Sequence, residues 1–470
     1  MKKITVFLII IFLIMILPCY RSEAATPGEL NLQTATGELM KFLKDSDPKM
    51  RSKAAQLLGE KKAGESLGEL KKLVKDKDSW VRLSAVGALF NLGGKSSVPS
   101  IASTLKDENS DVRKLAAKAL GGLNDKTAAA ALSGVLKDKD AGVRLEAVSS
   151  LGKLGGKAAV NALAQGVKDG DPGVRKAVVE NLAKIGDRTS VPALVTSLKD
   201  SNPDIRAISA KALGALKDKS TITGLSSVLR DESPEVRGIA VQALGEIKDK
   251  NVVPALVKSL DDSDPSIRDK ATVIISKFTG KPATAALIKA AADRDVNVRA
   301  HAVQALASLK EKSAVPVLLT ALGDNSPNVS SYAAQALGKL GEKSAVPGIV
   351  DLLKKSSDQD VRSKAIQALG SIKDKSSVAV LLDSLNASNT RKDQVAEALG
   401  KIGDKKAVPS LVSLLQNRAS DPSVREKAAW ALGEIGDKSA VPFIKQVLAV
   451  GDTDSVKNTA QQALKKLEKK

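Results

Sequence analysis

The amino-acid sequence predicts an all-α fold, an α-solenoid in which about 14 antiparallel helix pairs of 31 residues form a superhelical stack. Three observations lead to this prediction. One arginine recurs at a constant interval, an aliphatic residue follows it at a constant distance, and the residues between them fit two short helices joined by turns. A period of this length indicates that one small unit was copied and stacked, because a single pair of short helices cannot bury its apolar stripe alone.

The recurring arginine defines the length and the register of each unit. It stands nine times at intervals of 31 residues, at Arg51, Arg82, Arg113, Arg144, Arg175, Arg206, Arg237, Arg268 and Arg299. The register continues with unequal steps through Ser330, Arg362, Lys392, Arg425 and Lys457. These positions are called markers below, and their number sets the predicted number of units.

Each unit predicts a first helix, a turn and a second helix. In residues 200–230, Asn202 and Pro203 fit the cap and the first turn of a helix. Seven residues after every marker stands Leu or Ile, from Leu58 to Leu464, which predicts one buried stripe along all the first helices. Most second helices carry a proline in their first turn, at Pro99, Pro192, Pro254, Pro316, Pro347, Pro409 and Pro442.

Single helices are predicted to cap both ends of the stack. Residues from about Thr34 to Lys44 fit a helix before the first unit, and Ser455 to Lys470 fit a polar closing helix. Polar terminal helices are what a finite solenoid needs for solubility. The predicted solenoid domain therefore covers residues 34–470, and a short linker covers residues 25–33.

The first 24 residues carry the pattern of a secretory signal peptide. Two lysines precede an apolar run at residues 4–17, and Ser22-Glu23-Ala24 favours cleavage after Ala24. Two alternatives are open, lipidation of Cys19 or retention of the segment as an anchor. We expect the protein to be exported, to a periplasmic or extracellular location. Cys19 is the only cysteine, so cleavage would leave no thiol and no disulfide.

Three phrases of the repeat, Asp200-Ser-Asn-Pro-Asp-Ile-Arg206, Ala212-Leu-Gly214 and Val191-Pro-Ala-Leu194, carry a family resemblance. They resemble the HEAT-repeat family, and specifically its bacterial branch of short repeats of the phycobilisome lyase type. The resemblance covers nearly everything from about residue 34 to the end. It implies an α-solenoid in which each marker arginine and an aspartate of the inter-repeat turn form a hydrogen-bonded ladder.

The aspartates that this ladder requires are present. One precedes the marker by six residues at Asp45, Asp76, Asp107, Asp138, Asp169, Asp200, Asp231, Asp262, Asp293 and Asp324. We interpret these acids and the marker arginines as structural, since catalysis needs one site rather than ten copies, whereas a bidentate arginine contact is useful at every joint.

The sequence argues against the enzymes of this family. The hydroxylase branch holds two irons with several His-Glu pairs, whereas this chain has one histidine, His301, followed by alanine. The lyase branch acts on pigment proteins inside the cell, whereas this chain carries an export pattern. We therefore predict no catalytic residue, no metal and no cofactor, and we interpret His301 as a surface histidine.

Seven residues are candidates for contact with a partner. Trp80 and Trp430 interrupt columns that are otherwise mostly polar, so we expect both to be exposed, as binding hot spots are; packing against a neighbouring turn is the alternative. Tyr332 belongs to the mixed column that contains His301. The second helices should line the concave face, where one column turns from neutral to basic to acidic and contributes Lys258, Lys289, Asp351 and Asp383.

A column of cations, called the basic edge, lies thirteen residues after the marker in twelve consecutive units. Its members are Lys95, Lys126, Lys157, Arg188, Lys219, Lys250, Lys281, Lys312, Lys343, Lys375, Lys405 and Lys438. A polyanion or a lipid surface is one possible ligand. The alternative is structural, because a cation near a helix C-terminus complements the helix dipole and most of these residues directly follow an acid.

The repeat pattern falters between residues 268 and 362. Ser330 replaces the marker arginine, and later insertions fall near Ser356–Asp358, Asn386–Lys392 and Asn417–Ser420, between the second helix of one unit and the first helix of the next. We expect a change of superhelical curvature there, and loops that form a candidate contact site.

These observations favour an exported, non-enzymatic scaffold or adaptor that mediates protein–protein interaction. The alternative is a binder of anionic envelope polymers or lipid surfaces through the basic edge, and a lyase- or hydroxylase-like enzyme ranks third. The scarcity of aromatic residues, 2% of the chain, argues against nucleic acid as a partner.

Overall fold

The computed structural model describes residues 30–387 and 390–469. The predicted signal peptide at residues 1–24 and the lipidation candidate Cys19 lie outside the described residues. Within the described part the fold is the predicted all-α solenoid, with 28 α-helices and no strand. The chain divides into two compact units, residues 1–193 and 194–470.

The first unit contains five first helices and five second helices. Its first helices are Pro48–Glu60, Ser79–Leu92, Ser110–Leu123, Ala141–Leu154 and Pro172–Ile185. Its second helices are Leu67–Leu73, Val98–Ser103, Ala128–Val135, Gly156–Leu163 and Val191–Ser197, the last of which contains the division between the units. Thr36–Phe42 precedes the first pair, where a capping helix is expected.

The second unit continues the same alternation. Its first helices are Pro203–Leu216, Pro234–Ile247, Pro265–Ile275, Val296–Leu309, Pro327–Leu340, Gln359–Ile372, Lys392–Ile402 and Pro422–Ile435. Its second helices are Ile222–Ser227, Val253–Lys258, Lys281–Ala290, Val315–Ala321, Val346–Lys355, Val378–Ser384, Val408–Gln416 and Val441–Val450. Asp454–Lys469 is the closing helix, so the last marker, Lys457, belongs to a helix without a partner helix after it among the described residues.

Short polar residues begin the first helices. Asp78 accepts hydrogen bonds from the amides of Trp80 and Val81, and Asn109 accepts them from Asp111 and Val112. These side chains satisfy amide groups that the first helical turn leaves without a partner. The cap therefore fixes the residue at which each first helix starts, and so the register of its buried face.

The aliphatic column seven residues after the marker forms the core. Its first thirteen members, such as Leu120 and Leu337, are completely buried. The fourteenth, Leu464, is only half-buried, because among the described residues no further repeat packs on the closing helix, which buries Ala460, Ala463 and Leu467 against the preceding pair.

The irregular part of the second unit differs in helix length. Pro265–Ile275 and Lys392–Ile402 have 11 residues, against 14 for regular first helices such as Pro203–Leu216. Val346–Lys355 and Val408–Gln416 have 10 and 9 residues, against 6 for Val253–Lys258. A second helix of 10 residues, Lys281–Ala290, also occurs in a repeat of 31 residues, so helix length alone does not show where the inserted residues lie. The predicted change of curvature stays a prediction.

Candidate functional site

Each regular repeat is joined to the next by one arginine, and Arg113 shows the geometry. Its Nε and Nη2 donate to Oδ2 and Oδ1 of Asp138 at 2.7 and 2.8 Å. Its Nη1 donates to the carbonyl oxygens of Asp107 and Glu108, at 2.8 and 3.1 Å. The guanidinium therefore binds its own inter-repeat turn and the aspartate of the following turn at once. We call such an arginine–aspartate pair a brace.

The brace recurs within both units. In the first unit the pairs are Arg51–Asp76, Arg82–Asp107, Arg113–Asp138 and Arg144–Asp169. In the second unit they are Arg206–Asp231, Arg237–Asp262, Arg268–Asp293, Arg299–Asp324 and Arg425–Asp452. Arg175 binds its own turn in the same way, through Nη1 and the carbonyl oxygen of Asp169 at 2.9 Å.

The brace holds its aspartate in the ionised form. Burial opposes ionisation of Asp138, but the hydrogen bonds from Arg113 and from the amide of Asp140 outweigh it and lower the pKa of Asp138 below its ordinary value. The same hydrogen bond raises the pKa of Arg113. An aspartate tied in this way is a poor proton donor or acceptor, so the braces offer no acid–base chemistry near neutral pH.

The brace is modified where the repeat falters. Ser330 is buried and bonds to carbonyl oxygens of its own helix start, those of Ser326 and Pro327. Arg362 has no aspartate to bind and donates instead to Oγ1 of Thr390 at 2.8 Å and to the carbonyl oxygen of Leu353 at 2.6 Å. The joint after Arg362 is therefore held by neutral acceptors, whereas the hydroxyl of Ser330 is bonded within its own repeat.

The candidate aromatic residues differ in exposure. Trp80 is 55% exposed near the start of its first helix, whereas Trp430 is half-buried. The expectation that both tryptophans are exposed is therefore wrong for Trp430. Its ring lies over Gly400 of the preceding first helix, where an added Cβ would be 2.8 Å from Cζ3 of the ring, and Lys427 Nζ lies 5.9 Å from the ring centre.

Tyr332 is also half-buried, at a joint between two first helices. Lys364 of the next first helix places its Nζ 4.3 Å from the centre of the Tyr332 ring, a cation–π contact. Lys364 also lies 3.4 Å from Oγ of Ser331. Tyr332 and Trp430 thus take part in packing between repeats, which leaves Trp80 as the freely exposed aromatic candidate.

The four charged candidates on second helices are all exposed. Lys258 ends helix Val253–Lys258, and Lys289 donates to Asp261 at 2.6 Å. Asp351 pairs with Lys355 one turn later in its own helix, at 2.8 Å. These four residues lie on second helices while Tyr332 and Trp430 lie on first helices, so the structure does not gather the seven candidates into one site.

The basic edge is exposed at all twelve positions, but acids of the following repeats lie close to it. Lys219 donates to Asp249 at 2.7 Å, and this hydrogen bond lowers the pKa of Asp249. Lys405 lies 3.5 Å from Asp437 in the same arrangement. Acids at this position also cap the following turn, as Asp187 does by accepting from the amide of Thr189 at 2.8 Å. Positive charge along the basic edge is therefore partly cancelled.

A second column of cations is not among the residues predicted from the sequence. It stands seven residues before the marker, and in the first unit it consists of Lys44, Lys75, Lys106, Lys137 and Lys168, all exposed. We call these five residues the lysine row. Its sequence signal is as periodic as that of the basic edge. Each lysine directly precedes an aspartate, however, and in the sequence alone that acid suggests that the positive charge is cancelled.

His301 is exposed and pairs with an acid of the preceding repeat. Its Nδ1 lies 2.6 Å from Oδ1 of Asp269. In the described part of the chain, no cluster of three or more His, Cys, Asp and Glu side chains has the arrangement of a metal site. None of the helices described is both long and apolar enough to span a bilayer.

Comparison with solved structures gives similarities of fold. Karyopherin Kap121p bound to the extreme C-terminus of the protein phosphatase Cdc14p matches with a TM-score of 0.44 and 15% identity, over 95% of this chain and 57% of that chain. Kap95p in its RanGDP complex matches with a TM-score of 0.39 and 12% identity, over 92% and 77%. Human deoxyhypusine hydroxylase in complex with glycerol matches with a TM-score of 0.25 and 22% identity, over 54% of this chain and 99% of that chain.

This chain thus spans little more than half the length of Kap121p, and at these TM-scores and identities none of these similarities supports an inference about function. Comparison with curated proteins gives no match. The model of HEAT repeats matches residues 37–108, 98–171, 160–233, 222–296, 284–370, 316–394, 346–418 and 390–465. The matches run almost end to end through the described helices, and the chain belongs to the HEAT-repeat family.

Proposed function

We propose that this protein is a non-enzymatic scaffold that binds a protein partner through the second helices of its second unit. The proposal rests on a contrast between two sets of recurring positions, those of the braces and those of the exposed column on the second helices. Five joints of this unit carry the same arginine–aspartate brace, whereas the exposed column of its second helices carries lysine in some repeats, aspartate in others and a neutral residue in the rest. Constant positions hold the array together, so the variable exposed positions are free to specify a partner.

The sign of this column changes once along the unit. A neutral residue begins the column, two lysines and two aspartates follow with a neutral residue between them, and two neutral residues end it: Ser227, Lys258, Lys289, Thr320, Asp351, Asp383, Ser413 and Gln446. Although Lys289 and Asp351 each have an ion-pair partner, all four charged side chains stay exposed. A surface with a basic part followed by an acidic part favours a protein partner of opposite pattern, because complementary charge sets the orientation of a complex.

A charge-reversal experiment tests this proposal. Lys258→Glu/Lys289→Glu and Asp351→Lys/Asp383→Lys should each abolish crosslinking to a protein that the parent chain captures in an envelope fraction. The matched control, Lys312→Glu/Lys343→Glu, changes two exposed lysines of the basic edge in the same unit and should leave capture intact. Capture that survives both reversals, or that is lost equally in the control, would contradict the proposal.

We place this function outside the cytoplasm, on the evidence of the sequence at residues 1–24. Cell fractionation and the intact mass of the purified protein test this placement. A chain that begins at Ala25 in the periplasm or medium supports it, and a diacylated chain that begins at Cys19 supports export by the lipoprotein route. A full-length chain in the cytoplasm contradicts export.

The non-enzymatic part of the proposal rests on residue content. The chain has one histidine, which lies exposed beside Asp269, and one cysteine, which the proposed cleavage removes. The aspartates that recur before the markers are largely held in braces, as Asp138 and Asp231 are, where the pKa of each is lowered. Stoichiometric metal in the purified protein would contradict this part.

A further inference from the structure

The lysine row lies at the ends of the second helices of the first unit. Lys106 and Lys168 are the last residues of the 3-10 turns Thr104–Lys106 and Ala164–Lys168. Lys75 and Lys137 follow the helices Leu67–Leu73 and Ala128–Val135 by one turn. These lysines occupy the same position of successive repeats. Neighbouring lysines are therefore separated by about 8–10 Å, the distance between packed helices.

The acids next to the lysine row do not cancel its charge. Lys75, Lys106 and Lys137 precede the brace aspartates Asp76, Asp107 and Asp138, and each of these carboxylates is bound bidentately by an arginine of the preceding repeat. The arginine of each brace therefore balances the negative charge of its aspartate. The positive charge of the exposed lysine side chains is not balanced by these aspartates.

Two glutamates approach the lysine row without neutralising it. Glu69 lies 4.0 Å from Lys44 Nζ but is hydrogen-bonded to Lys72 at 2.7 Å. Glu108 lies 3.2 Å from Arg82 Nη2. In the described residues no acid forms an ion pair with Lys75, Lys106, Lys137 or Lys168. The basic edge of the same unit differs in the acids beside it, because Asp125 and Asp187 cap turns by accepting from the amides of Thr127 and Thr189 and, within the described part of the chain, have no arginine to balance their charge.

The fold does not require a cation at this position. A structural explanation for the lysine row would be that a cation at a helix C-terminus interacts favourably with the helix dipole. In the second unit four of the nine equivalent positions are cations, and the other five carry an acid or a neutral residue although the second helices there end in the same way; in order they are Lys199, Arg230, Asp261, Ala292, Gly323, Lys355, Leu385, Arg418 and Val450. The run of lysines in the first unit is therefore not explained by folding.

We propose that the lysine row binds a linear anionic polymer, one with phosphate or carboxylate groups along its backbone. One cation per repeat along a line matches a one-dimensional ligand. Lysine is a flexible point charge, so it suits recognition by charge rather than by a fixed bidentate geometry. The second-helix residues three positions earlier, Ser103, Gly134 and Gln165, are exposed and offer no large apolar side chain for insertion into a lipid surface.

The inference is independent of the proposed protein partner, since it concerns the other unit of the chain and different residues. It also predicts a characteristic salt dependence. Binding through released counterions weakens steeply as salt rises, and each cation removed reduces the slope of log K against log salt concentration by about 0.7–0.9.

A matched pair of charge-removal variants tests the proposal on the purified full chain. Lys75→Gln/Lys106→Gln/Lys137→Gln/Lys168→Gln removes four cations of the lysine row. Lys95→Gln/Lys126→Gln/Lys157→Gln/Arg188→Gln removes four cations of the basic edge from the same unit. The probes are long-chain inorganic polyphosphate, polygalacturonate and phosphatidylglycerol vesicles, each titrated at several concentrations of NaCl.

We expect the lysine-row variant to bind polymer at least tenfold more weakly at low salt, with a slope reduced by about three, and the basic-edge variant to bind like the parent. Binding of polyphosphate alone identifies phosphate as the source of the charge, and binding of both polymers shows that any linear anion suffices. Equal loss in both variants, binding to vesicles only, or no binding by the parent overturns the proposal. Lys→Arg at the same four positions should retain binding, and circular dichroism checks that each variant is folded.

Discussion

At the scale of single residues, the marker arginine depends on the acceptors that the next repeat offers it. Arg113 has Asp138, and Arg425 has Asp452. Where Ser330 replaces the arginine, Ser356 stands in the aspartate column of the next repeat. Arg362 keeps its arginine where Asn386 stands in the aspartate column, and it donates instead to Thr390 and to the carbonyl oxygen of Leu353. A buried charge without partners is strongly destabilising, so these acceptors take the place of the missing carboxylate.

Arg113→Lys tests whether the geometry of the brace, rather than its charge, holds the repeats together. Lysine keeps the charge but cannot make two parallel bonds to Asp138 and also reach the carbonyl oxygens of Asp107 and Glu108. We expect the free energy of unfolding to fall by about 2–4 kcal/mol, close to the cost of breaking a buried ion pair. Urea unfolding followed by circular dichroism measures it.

Arg188→Lys is the control for this substitution. Arg188 belongs to the basic edge of the same unit and is exposed, so the same chemical change should alter the free energy of unfolding by no more than about 0.5 kcal/mol. Equal effects of the two substitutions would show that the guanidinium geometry at Arg113 is unimportant.

At the scale of helices, neighbouring first helices come so close that a glycine is needed at the contact. A Cβ added at Gly338 would lie 2.7 Å from the Cα of Ala368, and one added at Gly370 would lie 2.8 Å from the Cα of Ala398. The glycine eight residues after the marker therefore serves helix packing, since its φ is not in the left-handed region. The small residue opposite it completes the contact.

Gly338→Ala tests this close approach. In an exposed helix interior, alanine is more stable than glycine by about 0.5–1 kcal/mol. At Gly338 we expect the opposite, a loss of about 1–3 kcal/mol, because the added methyl group would push against the backbone of Ala368 and separate two helices. Thermal unfolding of the purified protein measures the shift in midpoint.

Gly134→Ala is the matched control, in the second helix Ala128–Val135. Nothing lies within 4 Å of a Cβ built at Gly134, and the residue is exposed. The helix propensity of alanine should therefore raise the unfolding midpoint slightly. A rise in the unfolding midpoint of both variants would show that the first helices accommodate the added methyl group without loss of stability.

Helix positions and the core column could be predicted from the sequence, because a periodic pattern reports directly on local structure and on burial. The exposure of Trp430 could not, because it depends on Gly400 in the preceding repeat, which leaves space for the ring. The sequence also does not show that the acids beside the basic edge and those beside the lysine row have different partners. Each has acids beside it in the sequence, and only the structure shows that Asp249 faces Lys219 while Asp76 faces Arg51.

At the scale of the whole molecule, the same ion pair is repeated many times, so its response to pH is multiplied. Burial opposes ionisation of the brace aspartates, yet hydrogen bonds from the arginines and from backbone amides lower the pKa of each. The affected residues are Asp76, Asp107, Asp138, Asp169, Asp231, Asp262, Asp293 and Asp324. For Asp452 the hydrogen bond from Arg425 is the main cause of the same lowering.

These shifts predict pronounced instability in acid. A carboxylate with a lowered pKa in the folded state stabilises that state fully above its unfolded pKa, which is about 3.9, and loses the contribution as pH falls through the lower, folded value. The urea midpoint should therefore be nearly constant from about pH 7 to pH 5 and fall steeply below about pH 4. Asp138→Asn removes one such group, so its midpoint should be lower at pH 7 and decline less steeply in acid. A parent midpoint that stays constant down to pH 3, or a variant that declines as steeply as the parent, would show that the braces do not stabilise the folded chain.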